Sequence, residues 1–172
     1  LRVLENYVIM KKFQLLAFSV LTAMAANAQI VINEYCANST SFLDEYGDSN
    51  DWIELLNTSS ADVNLEGWHL SDKADNPAKW TFPAVTIKAG EYLKIFASSK
   101  DLKEVAAGKF LHTNFNISSD GEAFFLSDAS GKIIHQTDSI AVPNDVSRGL
   151  SPDGNGSWVF FAEPTPGAAN TT

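Results

Sequence analysis

Hydrophobic and polar residues alternate in short runs along most of this chain, and that period predicts β-strands. Residues 92–97 (YLKIFA) show the clearest alternation, and residues 52–56 show it again, with Ile53 and Leu55 on one face. Residues 30–35 (IVINEY) are rich in β-branched side chains, which favour a pleated backbone. Because the runs end in segments rich in Gly, Asn, Asp or Ser, we expect turns between short strands.

The pattern predicts an all-β protein. The predicted strands are residues 30–35, 52–56, 67–70, 80–82, 85–87, 92–97, 114–117, 122–127, 132–137 and 158–161. Residues 98–108 are the one segment where a short helical turn is expected, and residues 142–156 are interpreted as a loop. Short strands at regular spacing predict an antiparallel β-sandwich. Its core is expected to include Trp68, Ile53, Leu55, Leu70 and Phe125.

The first 28 residues are expected to lie outside the folded domain. Met10 is interpreted as the initiator of a secretory leader: two lysines follow it, then an apolar run, then a small-x-small cleavage site that ends at Ala28. The apolar run has about 14 residues, too few for a membrane-spanning helix, which needs about 20. We therefore expect a mature domain over residues 29–172 that is secreted or displayed at the cell surface.

The net charge of the chain limits the classes of macromolecule that it can bind. The whole chain has a net charge of −9, and without residues 1–28 it has nine basic and twenty acidic residues, a net charge of −11. Phosphate backbones are bound mainly through Lys and Arg, so nucleic-acid binding by a broad basic face is disfavoured. The only cysteine, Cys36, allows no intrachain disulfide and is expected to be a buried small hydrophobe.

One acidic loop is a candidate calcium site. Asp44, Glu45, Asp48, Asn50 and Asp51 lie within eight residues. Calcium takes about six to eight oxygen ligands, and such a loop supplies several. The spacing does not match an EF-hand, because Leu55 stands where the last acidic ligand would be. The alternative is a solvated acidic loop without metal, and no other cofactor is expected.

Other residue types with catalytic potential do not form a recognisable constellation. Glu34 and Glu54 lie on strands expected to be neighbours, and paired carboxylates perform acid–base chemistry in glycosidases. The alternative is that both hydrogen-bond to backbone groups and to Ser or Asn side chains. The histidines, His69, His112 and His135, lack the spacing of a zinc site, and no G-x-S-x-G motif is present. We therefore expect a protein that is not an enzyme.

Eight stretches in order resemble the lamin-tail domain, an immunoglobulin-like β-sandwich of nuclear lamins and of many secreted bacterial proteins. They are IVINEY (30–35), DWIELLN (51–57), VNLEGWHLSD (63–72), WTFP (80–83), AGEYLKIF (89–96), HTNFNISSDGEAFFLSD (112–128), SRGLSPDG (147–154) and PTPGAAN (164–170). The chain is most similar to the secreted bacterial type. The resemblance implies a domain without catalysis of its own, which in bacteria often accompanies an enzyme or adhesion domain.

Three function classes follow from these observations. The leading hypothesis is a non-catalytic binding or adhesion module that presents loops to an extracellular macromolecule, a protein or a glycan. The alternative is an accessory or targeting domain of a larger secreted hydrolase, such as a nuclease or phosphatase, and it predicts a gene that continues past Thr172. DNA or chromatin binding, by analogy with nuclear lamins, is a weaker alternative that the acidity opposes.

Overall fold

The computed structural model describes residues 30–171, so the expected leader lies outside the described residues. These described residues form twelve strands: β1 (Ile30–Cys36), β2 (Asp51–Asn57), β3 (Val63–Asn64), β4 (His69–Ser71), β5 (Trp80–Thr81), β6 (Thr86–Ile87), β7 (Tyr92–Ala97), β8 (Leu111–His112), β9 (Phe125–Ser127), β10 (Ile133–Gln136), β11 (Ser147–Ser151) and β12 (Ser157–Phe161). Within residues 30–171 there is no helix long and apolar enough to cross a membrane.

The strands form a sandwich. One sheet has six strands in the order β12-β11-β1-β2-β7-β8, and the other has four in the order β10-β9-β4-β5. A short pair, β3 and β6, completes the fold. Every pairing between named strands is antiparallel except β7 with β8. The prediction of an all-β, immunoglobulin-like antiparallel sandwich is confirmed.

The core lies between the two sheets. Ile53, Leu55 and Leu70 are fully buried there, and Trp68 packs against the cluster while half-buried. The outer face of the six-stranded sheet is covered as well. Its apolar residues form two smaller clusters, one around Trp52 and one around Leu56. Because both faces of β1 and β2 are covered, their polar side chains are forced into the interior.

Phe125 was expected in the core, and that expectation is wrong. Its neighbours Phe124 and Leu126 are fully buried in the main cluster, while Phe125 is only half-buried. The two-residue period of a strand points Phe125 to the opposite face. Residues 123–126 are all apolar, so the sequence does not show which of them face the core.

Three segments differ from the sequence prediction. Residues 98–108 form no helical turn; they run as an open loop whose backbone bonds to the segment that follows, as in the hydrogen bond from the N–H of Asp101 to the O of Thr113 (3.1 Å). Residues 142–156 are not all loop, because they contain β11, which pairs with both β1 and β12. Residues 114–117 form only an isolated bridge, between Asn116 and Ser98.

Candidate functional site

Two loops meet beside the six-stranded sheet and form what we call the two-loop surface, residues 38–50 and 98–110. The first joins β1 to β2, and the second joins β7 to β8. Because β2 and β7 are paired, with Asp51 opposite Ala97, the loops leave neighbouring strands at the same end of the sheet. The acidic loop singled out from the sequence is therefore one half of a larger surface.

Asp44 organises the first loop. Its buried carboxylate accepts hydrogen bonds from the N–H groups of Tyr46 (2.9 Å) and Asp48 (3.0 Å) and from Nδ2 of Asn50 (2.9 Å), and it forms an ion pair with Lys100. Burial alone would raise the pKa of Asp44, but the bonds from Lys100 and the two N–H groups outweigh it and lower the pKa. The loop is thus held rigid by one charged side chain.

The five predicted calcium ligands do not share one centre. Asp44, Asp48 and Asn50 gather near Lys100, whose Nζ lies 2.8 Å from the Asp48 carboxylate. Asp51 instead accepts hydrogen bonds from the backbone N–H groups of neighbouring segments, and Glu45 points towards His112. Among residues 30–171 no three His, Cys, Asp or Glu side chains are placed to hold one metal ion. Calcium at this loop stays a prediction, and it would have to displace Lys100.

Ser98, His112 and Glu45 form a polar chain that sequence reasoning missed. The Ser98 Oγ lies 2.8 Å from His112 Nδ1, and His112 Nε2 lies 3.1 Å from Glu45 Oε2. The order of groups is that of a serine–histidine–carboxylate relay. No local motif reveals it, because the three residues come from different loops and strands. The pairing of β7 with β8 brings Ser98 near His112, and the pairing of β2 with β7 brings the loop of Glu45 alongside.

The surroundings of Ser98 do not suit nucleophilic attack. Acyl transfer needs backbone N–H groups aimed at the developing oxyanion. The N–H of Lys100 is instead directed at the Ser98 Oγ itself (3.3 Å), and the N–H of Ser99 donates to the O of Phe115 (3.3 Å). His112 is completely buried. We interpret the chain of hydrogen bonds as a tie that fixes the two loops to each other.

The prediction that Glu34 and Glu54 lie on neighbouring strands is confirmed, and the two residues stand opposite each other on β1 and β2. Both are fully buried. Glu34 accepts hydrogen bonds from the Oγ of Ser147 (2.5 Å) and from the N–H and Oγ1 of Thr165 (both 3.1 Å). Burial raises the pKa of Glu34. Because both carboxylates are fully buried and accept hydrogen bonds from the protein itself, we interpret them as structural.

The C-terminal segment covers this pair. Glu54 accepts hydrogen bonds from Nδ2 of Asn33 (3.2 Å) and from the N–H of Gly167 (2.5 Å), and burial raises its pKa to about 8. Nearby, Asp153 accepts from the hydroxyl of Tyr92 (2.5 Å) and the N–H of Asn170 (3.0 Å). Residues 164–170 thus act as a polar cover on the outer face of the sheet.

The other histidines also have structural partners. His69 Nδ1 lies 3.0 Å from Thr81 Oγ1 on the neighbouring strand. His135 Nδ1 accepts a hydrogen bond from the N–H of Ile32 (3.2 Å), and burial lowers the pKa of His135. Both bonds lie within or between the sheets, as expected for hydrogen-bonded sheet histidines.

The two-loop surface carries exposed apolar side chains and a pocket. Leu43, Tyr46 and Val105 are 55%, 58% and 55% exposed. Val105 also lines a pocket of about 270 Å³. The pocket is lined by Val85, Tyr92, Leu93, Lys94, Glu104, Val105, Ala106, Lys109, Phe110 and Leu111. Mostly apolar walls with a few charged groups are typical of a binding site. This surface, rather than the acidic loop alone, is the candidate functional site.

The chain matches a known protein family. A family model described as Lamin Tail Domain matches residues 23–141, more than half of the chain. The match covers strands β1 to β10 and both loops of the two-loop surface, whereas β11, β12 and the C-terminal cover lie beyond it. No curated protein matches the chain.

Proposed function

The chain belongs to the lamin-tail domain family, and from that premise we propose that it is a non-catalytic module that binds an extracellular macromolecule through the two-loop surface. The family has an immunoglobulin-like fold and is non-catalytic. Function on such a scaffold depends on the loops that the sheets hold in place. The proposal therefore rests on what the loops expose.

The observation that supports it is the exposure of Leu43, Tyr46 and Val105 on adjoining loops. Large apolar side chains gathered on one surface are typical of interaction sites, whereas isolated ones are ordinary. Within residues 30–171 the other large hydrophobics with comparable exposure, Ile133, Ile140 and Phe160, lie on other elements. Half of the exposed apolar side chains therefore belong to one surface.

Rigidity of the loops favours the same function. Asp44 fixes the first loop through three hydrogen bonds and an ion pair, and Glu45 ties it to the second through His112. A surface ordered before binding loses less conformational entropy when a partner arrives. The acidic side chains thus contribute to binding by holding the loops rather than by contacting a ligand.

An array of cell-surface proteins and glycans, probed with the purified chain, tests the proposal. We expect a partner whose binding falls at least tenfold in a variant with Leu43→Ser, Tyr46→Ser and Val105→Ser. The matched control carries Ile133→Ser and Phe160→Ser, which replace apolar side chains that are also exposed but lie elsewhere. An equal loss of binding in both variants, or the absence of any partner among the proteins and glycans of the array, would contradict the proposal.

We also propose that the protein is exported, as in the secreted bacterial type of the family. The support is the leader pattern that follows Met10, with a small-x-small site ending at Ala28. Expression of the gene with its leader in a bacterial host should give an extracytoplasmic product whose mass corresponds to a chain beginning at Gln29. Recovery of only the uncleaved chain in the cytoplasm would contradict export.

A further inference from the structure

The strand β7 has an open half-edge. On one side it pairs with β2 along its whole length, from Tyr92 to Ala97. On the other side β8 pairs only with Ile95 and Phe96. Within residues 30–171 no strand pairs with β7 beside Tyr92, Leu93 or Lys94 on that side. Half of the strand therefore has room for another.

The backbone of the open half points outward. The O of Phe96 accepts a hydrogen bond from the N–H of Thr113 (2.8 Å), so the polar backbone groups of Phe96 face the side of β8. Backbone groups alternate sides along a strand, so those of Tyr92 and Lys94 face the same side as those of Phe96. They are a template for main-chain hydrogen bonds from an added strand.

A groove follows this half-edge. The pocket of about 270 Å³ is lined by Tyr92, Leu93 and Lys94 on one side and by residues 104–106 and 109–111 on the other. Val85 and Leu93 are half-buried and pack against the core, so the inner side of the groove is apolar. A chain lying in the groove would have one row of side chains against this apolar side.

Two lysines, Lys94 and Lys109, and one acidic residue, Glu104, line the groove, so its net charge is positive. Lys94 Nζ lies 4.9–5.2 Å from the ring centroids of Phe42, Phe96 and Phe110, and Lys109 Nζ lies over the ring of Tyr46. Among the described residues no carboxylate lies within ion-pair distance of either ammonium. In so acidic a domain, two cations left without a carboxylate favour an anionic partner.

We propose that an extended peptide with acidic side chains adds as a strand to the open edge of β7, between Tyr92–Lys94 and residues 104–110. The inference rests on the proposed binding function and specifies its partner. Strand addition obtains affinity from main-chain hydrogen bonds and specificity from alternate side chains. Because neighbouring side chains of a strand point to opposite faces, the peptide should alternate acidic residues facing Lys94 with apolar residues facing Val85 and Leu93.

A phage-displayed library of random octapeptides, panned on the purified chain, tests this inference. We expect enrichment of peptides in which Asp or Glu alternates with Val, Ile, Leu or Phe. Addition of an enriched peptide should move the amide NMR signals of Tyr92, Lys94 and residues 104–110. A version of the same peptide N-methylated at alternate residues on its pairing edge should bind at least tenfold more weakly, because it lacks the backbone donors.

Charge variants distinguish binding at this site from nonspecific electrostatic attraction between an acidic peptide and the lysines of the surface. Lys94→Gln with Lys109→Gln should weaken the peptide at least tenfold, while Lys88→Gln with Lys132→Gln, two exposed lysines on turns, should leave its affinity within twofold. Glutamine is chosen at Lys94 because an acidic residue there would face Glu54 across the strands. Equal weakening in both pairs would overturn the inference.

The remaining outcomes distinguish the inference from the function on which it rests. If a partner on the array needs Leu43, Tyr46 and Val105 but no acidic alternating peptide is enriched, strand addition is wrong and the binding function stands. The inference is equally wrong if the array partner is a glycan, if the peptide signals map elsewhere, or if sedimentation shows that a second copy of the chain occupies the β7 edge. Peptide binding at β7 without any array partner would support the inference while contradicting the wider proposal.

Discussion

Replacing Glu54 with glutamine is expected to remove much of the pH dependence of the stability of this domain. Glu54 is fully buried, and burial raises its pKa from an ordinary 4.5 to about 8. Between these two values the folded protein holds a proton that the unfolded chain has released. The contribution of Glu54 to the free energy of unfolding is therefore largest below about pH 4.5. This contribution is lost as the pH rises from there through about 8.

The size of this effect follows from the difference between the two pKa values. At about 1.36 kcal/mol per pKa unit, the rise from 4.5 to about 8 is worth about 5 kcal/mol. A domain is stable by about 5–15 kcal/mol in total, so one carboxyl group governs a large share of it. Glu34, whose pKa burial also raises, acts in the same direction. His135, whose pKa burial lowers, acts oppositely, because its contribution is lost as the pH falls below about 6.5.

Urea unfolding followed by tryptophan fluorescence, from pH 5 to pH 9, measures the effect. The wild-type chain should lose several kcal/mol over this range, and Glu54→Gln should lose markedly less, because glutamine has no proton to release. The Gln oxygen can still accept the N–H of Gly167, so the C-terminal cover is retained. Exposed Glu66→Gln is the control. Parallel curves for wild type and Glu54→Gln would refute the reasoning.

Three further predictions concern packing and reactivity. Trp80→Ala should cost about 3–5 kcal/mol in urea unfolding, because Trp80 is fully buried, and Trp68→Ala should cost less, because Trp68 is only half-buried; the reverse order would contradict the packing. Burial raises the pKa of Cys36 to about 12, so a thiol-specific disulfide reagent should label the protein in urea and not in the native state. Gly149→Ala would place a Cβ 2.7 Å from Nδ2 of Asn170, so limited proteolysis should release the C-terminal segment earlier than in the wild type, and equal rates would exclude the clash.

The sequence predicts best those strands whose two faces differ in polarity. Residues 92–97 and 52–56 alternate, and both appear as β7 and β2. Strand β11 was missed because its sequence, SRGLS, has one large apolar residue. Leu150 packs in an apolar cluster, but two other buried side chains of β11 make polar contacts: Ser147 donates to Glu34, and Arg148 pairs with Asp138. A strand whose buried side chains are mostly polar shows no hydrophobic period in the sequence.

The candidate site was predicted only in part, since its parts come from distant positions. The acidic loop was found by composition, but the cation that holds Asp44 is Lys100, 56 residues away. Local sequence does not show which cation neutralises a carboxylate. The open edge of β7 was hidden for a related reason: it exists because β8 has only two residues, whereas residues 114–117 were predicted as the strand in this part of the chain.

The distribution of charge explains why an acidic protein presents a basic groove. Glu34, Glu54 and Asp153 are enclosed under the C-terminal segment and receive hydrogen bonds from backbone N–H groups and neutral side chains, so they require no lysine. Lys94 stands opposite Glu54 across the strands, and its ammonium lies among aromatic rings at the edge of the sheet. A half-buried ammonium is less screened by salt than an exposed one. An acidic strand that reached Lys94 would thus be held by a charge that salt screens only in part, on a domain whose residues 29–172 have a net charge of −11.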